Sequence, residues 1–222
     1  HYLTPLFSPQ QVLVFAASAE LAESAYVNVQ AKALRDNLTA QRFSGELVFV
    51  DINTSGTLAD LAHTRADLAV ISLPPEEVAA ALEVAGRMKC KAALVVSAGI
   101  DGDVSSELKR IARRSGMHLL GPNCLGFQRP MSGLNASVAG AMAAKGPLAL
   151  VSQSGALTSS ILDWAGNNGV GFSAGVSLGP NTVGGVADVL GCLAGADQAQ
   201  SSAVSMEGMS SESRSWPLPS SS

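Results

Sequence analysis

Leu68-Ala-Val-Ile-Ser-Leu-Pro-Pro-Glu-Glu-Val-Ala-Ala-Ala-Leu-Glu-Val-Ala-Gly-Arg-Met-Lys-Cys-Lys-Ala-Ala-Leu-Val-Val96 sets two apolar runs on either side of a helical segment. Leu68 to Ile71 and Ala93 to Val96 are unbroken, as expected of strands covered on both faces. The intervening 75–89 opens on Pro75, Glu76 and Glu77, which suit a first helical turn and its positive dipole end. Strand, helix and parallel strand make a βαβ unit. The pattern continues outward, with Val12-Leu-Val-Phe15 and Leu47-Val-Phe-Val50 before it and His118-Leu-Leu120 after it. Helices are also expected over 19–40, 57–63 and 103–115. In the last, Asp103 is the expected cap, Val104, Leu108 and Ile111 share one face, and Gly116 ends it. Five strands in this span predict an α/β fold: a doubly wound, parallel-sheet, Rossmann-like domain over 1–127.

Beyond Gly121 the pattern changes. Residues 121–146 contain seven Gly or Pro, so 128–146 is expected to be a structured connection. A second α/β unit over 147–200 comprises strand Leu148 to Val151, turn Ser152-Gln-Ser-Gly155 and helix 156–167, then strand Phe172 to Ser177 and a short helix near 183–193. Two strands do not readily bury both faces of a sheet, so this unit is expected to be truncated. Ten of the 22 residues from Ser201 to Ser222 are Ser. That composition offsets little ordering entropy by apolar burial, so a mobile tail is expected there.

Composition narrows the function. Of 222 residues, 47% are apolar and 14% charged, and the mean hydropathy is +0.26. A chain of this kind fills a core, and it carries too little charge for a coiled coil. With 14 Lys and Arg against 18 Asp and Glu the net charge is −4, which lacks the basic excess of a nucleic-acid binder. No apolar run reaches the ~18 residues of a membrane span. The first ten residues show no secretion signal, and the absence of an initiator Met suggests a fragment. Cys90, Cys124 and Cys192 are scattered and odd in number, which suits reduced thiols in a soluble cytoplasmic protein rather than disulfides or a zinc site.

Four turns could carry chemistry. The first, Ala16-Ala17-Ser18-Ala19, follows strand Val12 to Phe15 and has no glycine, so a dinucleotide pyrophosphate would be held away and NAD binding is disfavoured. Ser18 can still offer a hydroxyl and a helix N-terminus to a phosphate, or simply cap the helix. Ser72-Leu73-Pro74 and Ser97-Ala98-Gly99 end the third and fourth strands and would face the same crevice, with room for an adenine or a pantetheine arm. Turn formation alone also accounts for Ser, Pro and Gly there. Gly121-Pro-Asn-Cys-Leu-Gly126 presents the Asn123 amide above the sheet, while Cys124 lacks a His and acid partner nearby in sequence. Around Ser154, the hydrolase elbow G-x-S-x-G fails at both glycine positions, Ser152 and Ala156. Ser152, Gln153, Ser154 and Gly155 read better as an anion cradle at a helix N-terminus, with plain helix capping as the alternative.

Taken together, Gly121-Pro-Asn-Cys-Leu-Gly126, Leu134-Asn135-Ala136, Gly146-Pro-Leu-Ala-Leu-Val-Ser-Gln-Ser-Gly-Ala156 and Leu162-Asp-Trp-Ala165 resemble the NDP-forming acyl-CoA synthetases. The α subunit of succinyl-CoA synthetase is a more distant relative, and the Leu134 to Ser137 wording is also similar to bacterial protein lysine acetyltransferases with a synthetase-like region. The resemblance runs from about Leu6 to Asp197. It implies a CoA-binding Rossmann-like domain followed by a flavodoxin-like domain, here truncated. CoA or acyl-CoA would lie against Ser18, Ser72, Leu73, Pro74, Ser97, Ala98, Gly99 and Asn123. Ser152 to Gly155 would hold a phosphoryl group.

This chain departs from the family pattern in three ways: Ala16 and Ala17 stand where glycine is usual, no His follows His118, and the pattern turns Ser-rich after Gly184. ADP or ATP with Mg would then enter only through further domains, a fused or partner nucleotide-grasp or acetyltransferase domain. The chain is therefore expected to be the CoA-binding portion of an NDP-forming acid-thiol ligase or synthetase-like acetyltransferase, incomplete for catalysis alone. The alternatives are a non-catalytic CoA or acyl-CoA sensor and, more weakly, a Ser154 hydrolase.

Overall fold

The computed structural model describes residues 1–16, 25–50, 65–179, 186–195 and 201–205. Its first sheet contains β1 (Gln11–Ala16), β2 (Glu46–Val50), β3 (Leu68–Ser72), β4 (Ala92–Val95) and β5 (His118–Leu120) in the order β2-β1-β3-β4-β5. Every pair is parallel. The order reverses between β1 and β3, which opens a crevice at their carboxyl ends. Val12 and Val14 pack on one face and Leu13 and Phe15 on the other, so the unbroken apolar run is explained by burial on both sides.

Helices α3 (Pro75–Arg87) and α4 (Gly102–Ser115) cover one face through Val78, Leu82, Leu108 and Ile111. Gly116 ends α4 in the left-handed conformation at φ +68°. The N-cap is Asp101, whose carboxylate accepts the Val104 N–H at 2.9 Å, and not Asp103, which lies in the first turn. Either acid favours the dipole; only the residue outside the helix has the extended backbone that aims its oxygen at the third N–H. The helix expected over 57–63 lies outside the described residues, and so do residues 19–24 of the expected 19–40; α2 spans Ala25–Thr39.

The second sheet has the order β10-β8-β9-β6-β7. The expected strands are there as β8 (Lys145–Ser152) and β9 (Phe172–Ser177), joined by α5 (Gly155–Asn167) and followed by α6 (Val186–Ala194). Three strands were not anticipated. The stretch read as a connection supplies β6 (Gly126–Arg129) and β7 (Leu134–Ser137), antiparallel to each other, with β6 also antiparallel to β9. The stretch read as the start of a mobile tail supplies β10 (Ser201–Ser205), parallel to β8. Residues 206–222 lie outside the described ones. A sheet of five strands replaces the expected pair.

The two sheets share one core. Val12, Val14, Leu68, Val70 and Leu94 of the first sheet join Phe127, Leu134, Val151 and Val176 of the second in a single buried cluster. Leu34 and Leu38 of α2 lie in it, as do Leu6 and Phe7 of α1 (Thr4–Phe7) and Val189 and Leu193 of α6. Polar ties reinforce the contact: the Asn37 amide donates to the Ser137 and Ala139 carbonyls at 2.8 and 2.7 Å. Asp101→Ala is expected to lower unfolding stability by about 1 kcal/mol in urea titration, the cost of a lost N-cap. Asp103→Ala should change it by no more than a few tenths.

Candidate functional site

The carboxyl ends of β3 and β4 are linked by a hydrogen bond: the Leu73 N–H donates to Ser97 Oγ at 3.0 Å. Ser72, Leu73 and Ser97 are buried, whereas Pro74 and Ala98 are half-buried and Gly99 is exposed. Pro74 precedes α3 as its N-cap residue. Gly99 takes φ +74° with open space where a Cβ would stand. Ser97 therefore holds two loops together, while Pro74, Ala98 and Gly99 form the lip of the crevice. Ser18 lies outside the described residues.

The turn after β5 completes this edge. Asn123 sits in the left-handed region at φ +56°, which an Asn tolerates. Its Nδ2 donates to the Ile100 carbonyl at 2.8 Å and its Oδ1 accepts the Ile100 N–H at 3.1 Å. Its backbone N–H donates to the Ser97 carbonyl at 3.2 Å. The amide expected to face a ligand is thus used to pin the 97–100 loop, a positioning role that spacing alone does not show. Cys124 is buried and its thiol points at the Val95 carbonyl, 3.5 Å away. Burial pushes its pKa up to about 12, the reverse of what a nucleophile needs.

From there the turn reaches the second sheet. The Leu125 N–H donates to Ser177 Oγ at 3.2 Å, at the carboxyl end of β9. The Leu125 side chain packs against Gly155, where an added Cβ would stand 3.0 Å from Leu125 Cγ. The absent Cβ of Gly155 thus makes room for this contact. Ser152 is fully buried; its Oγ accepts the Ser154 N–H at 3.0 Å and donates to the Ser154 carbonyl at 3.2 Å, so its one proton is committed within the turn. Ser154 caps α5, its Oγ accepting the Leu157 N–H at 3.3 Å. Gln153 is half-buried beside them. The N–H groups of Gly155 and Ala156 at the start of α5 are taken by no described residue, so an anion can still be received there. No described His is hydrogen-bonded in the Ser154 turn: His118 opens β5 at its amino end against Tyr2, and His1 stacks on Tyr2.

Arg35 was missed by the sequence reading. It stands on α2 and its Nη2 donates to the Ala16 carbonyl at 2.8 Å, at the carboxyl end of β1. Its guanidinium lies 5.1 Å from the Phe49 ring, and its buried Nε has no hydrogen-bond partner. A cation is thereby fixed at the point where the strand order reverses. Only a helix phase that brings residue 35 back over the end of β1 could have signalled it.

Comparison with known proteins matches this arrangement in both halves. Residues 37–130 match the CoA binding domain and residues 145–215 match the succinyl-CoA ligase like flavodoxin domain. The chain thus joins a CoA binding domain to a succinyl-CoA ligase like flavodoxin domain. Acetate–CoA ligase [ADP-forming] I of Archaeoglobus fulgidus is 35% identical over 217 residues, covering 92% of this chain and 30% of the relative. The α subunit of acetate–CoA ligase [ADP-forming] I of Pyrococcus furiosus is 32% identical over 195 residues, covering 80% of this chain and 41% of the relative. Among solved structures, the dinucleotide forming acetyl-coenzyme A synthetase 1 of Ca. Korarchaeum cryptofilum, in complex with phosphate and ADP, superimposes with a TM-score of 0.82 at 25% identity, over 95% of this chain and 46% of that one. The chain spans less than half the length of these relatives. No helix among the described residues is long and apolar enough to cross a membrane.

All three cysteines are buried, and the Cys90 thiol is also pushed up to about 12, by burial first and then by the charge of Asp67. The native protein should resist iodoacetamide at pH 8, whereas the urea-unfolded chain labels at all three cysteines; rapid native labelling of Cys124 would restore it as a reactive centre. Raised thiol pKa values also set a pH dependence. Below the unfolded value of about 8.5 both states keep their protons and the stability contribution is whole. Above it the unfolded chain ionises first, so the urea midpoint should fall as pH climbs from about 9 toward 12.

Proposed function

We propose that this chain is the CoA-binding and ligase-like portion of an ADP-forming acyl-CoA synthetase. CoA or acyl-CoA lies across the crevice at the carboxyl ends of β1, β3 and β4. The observation that carries this reading is the convergence of that crevice with the start of α5 on one turn, Gly121 to Gly126, with Arg35 at its far side. A long ligand with phosphates at one end and a thiol at the other matches such an edge. Arg35 supplies a fixed positive charge for a CoA phosphate, the Pro74, Ala98 and Gly99 lip receives the ligand body, and Ser97 and Asn123 keep the loops in place. Ser18, in the first turn, would meet the same phosphates.

At the other end, the α5 N-terminus with Ser152, Gln153, Ser154 and Gly155 receives a phosphoryl group beside the thioester. The Gly155 and Ala156 N–H groups and the helix dipole supply the attraction. Ser154 supplies both the cap and a neutral hydroxyl proton. A nucleotide, ADP or ATP with Mg, acts through other domains of the synthetase and not through these residues. A neutral sensor of acyl-CoA would need the crevice but not the α5 turn, so the retained turn favours the ligase.

Calorimetry should show CoA binding more tightly than NAD. Wild-type protein should prefer CoA over dephospho-CoA by roughly tenfold, about 1.4 kcal/mol, and Arg35→Ala should erase that preference. Equal affinities in the wild type, or NAD binding above CoA, would reject the crevice assignment.

A second expectation concerns turnover. Of the two described histidines, neither faces the α5 turn, so the 222-residue polypeptide incubated with ATP, acetate and CoA should yield no acetyl-CoA and no phosphoenzyme. Phosphohistidine on His63 or His118 would reverse the assignment of roles.

A further inference from the structure

At the edge of the second sheet away from Ser152 and Ser177, an open pocket of about 490 Å3 lies between α1 and α6. Its walls include Thr4, Phe7 and Ser8 on one side and Cys192 and Leu193 on the other, with Arg129 between them. Arg129 ends β6, three residues beyond Gly126, whose register partner is Ser177. At ~3.4 Å per residue, this places it roughly 10 Å along the strand from the turn that joins the sheets. Side chains alternate along β6, so Arg129 shares the face of Phe127, which meets Phe7 edge-on with ring centroids 5.3 Å apart. Gln128 points the other way and holds the 140–143 loop.

The guanidinium is in an unusual state. Arg129 is only 6% exposed, its Nε has no hydrogen-bond partner, and its side chain donates to no described residue. The ion pairs among the described residues, Lys32–Asp36, Glu107–Arg110 and Glu83–Arg114, do not include it. Burial pushes its pKa down from the ordinary value, although an arginine stays charged at any working pH. A buried unpaired cation is costly, and natural cores rarely keep one without an anion to meet it. Here the missing partner has a place to enter, because the pocket opens from the guanidinium to solvent.

We propose that this pocket is a binding site for a small oxyanion, a carboxylate or a phosphate, held by the guanidinium fork of Arg129. The fork suits two oxygens in one plane, and the polar residues His1, Thr4 and Ser8 also line the wall. Phe7 and Leu193 are buried and apolar, so the wall also suits a short hydrocarbon tail on the anion. The site is separate from the crevice and from the α5 turn, and its ligand is distinct from CoA. It stands independently of the function proposed above.

The test uses the 222-residue chain with butyrate, inorganic phosphate and, as the neutral analogue, butanamide, at constant ionic strength with chloride as the balancing salt. The Arg129 Nε–H resonance should shift saturably with butyrate or phosphate below about 50 mM and stay unmoved by butanamide, and the same anion should raise Tm. The preferred anion identifies the source: butyrate places a carboxylate there, phosphate a phosphoryl group. Arg129→Met should fold at least as well as wild type in chloride alone, having lost an uncompensated charge, and should lose the anion-dependent rise in Tm. Should that variant unfold, Arg129→Lys keeps the charge without the fork and should weaken binding by at least tenfold. An unmoved Arg129 resonance with both anions overturns the proposal. So does a phosphate response that survives Arg129→Met and disappears in Ser154→Ala, which assigns the ion to the α5 turn instead.

Discussion

A six-residue turn, Gly121 to Gly126, carries the junction between the two sheets. Gly121 adopts φ +87° with the Val95 carbonyl occupying the place of a Cβ, so no other residue fits without moving β4. The two bonds of Asn123 to Ile100 and the bond of Leu125 to Ser177 then fix the turn against opposite sheets. Gly179, after β9, closes on the same turn, with the Pro122 carbonyl and Cys124 Cβ at about 3 Å from where its own Cβ would stand. Because these contacts are direct and at least partly buried, the carboxyl edges of β3, β4, β8 and β9 keep one relative position. A ligand spanning both edges meets a surface already organised, so little of its binding energy is spent on ordering loops.

Two arginines, Arg35 half-buried and Arg129 buried, show how context separates roles. Arg35 spends one nitrogen on the Ala16 carbonyl and lays its plane near Phe49, so its charge is held but partly satisfied. Among the described residues Arg129 donates to neither a carbonyl nor a carboxylate, and it lies beside an opening lined by His1, Thr4, Phe7, Ser8 and Leu193. The first can serve as a standing counter-charge at the end of a strand; the second is completed only from outside. Neither difference is visible in the identity of the residue.

The first sheet was legible because its strands are covered on both faces and so are written as continuous apolar runs. Leu68 to Ile71 and Ala93 to Val96 lie within one residue of the observed strands. The second sheet was legible at Leu148 to Val151, where the same rule applies, and at Phe172 to Ser177. β6 and β7 escaped because half of their buried positions are polar: Gln128 and Arg129 in one, Asn135 and Ser137 in the other. The pair in β7 is hydrogen-bonded, with Ser137 Oγ donating to Asn135 Oδ1 at 2.6 Å, so polar residues are buried there and no unbroken apolar run marks the strand. β10 escaped because Ser-rich composition argues against order unless a neighbouring strand supplies the ladder, as β8 does. At the site, residue types were legible and roles were not. Ser97, Asn123 and Ser152 bear the right groups in the right turns, but their hydrogen bonds go to protein, and that depends on loop geometry beyond any local spacing.

The clasp between Asn37 and the carbonyls of Ser137 and Ala139 joins residues about 100 apart in the chain. Helix α2 lies in a core to which strands after residue 125 contribute Phe127, Leu134, Ala136, Val151 and Val176. During synthesis the amino-terminal sheet would emerge from the ribosome with the apolar face of α2 still uncovered, and it would stay so until β7 had been made. Long-range closures of this kind slow folding and lengthen the interval in which apolar surface is open to chaperones or to other chains. The two halves match separate family models, yet they are one folding unit: a cut between them would leave an exposed face on each piece.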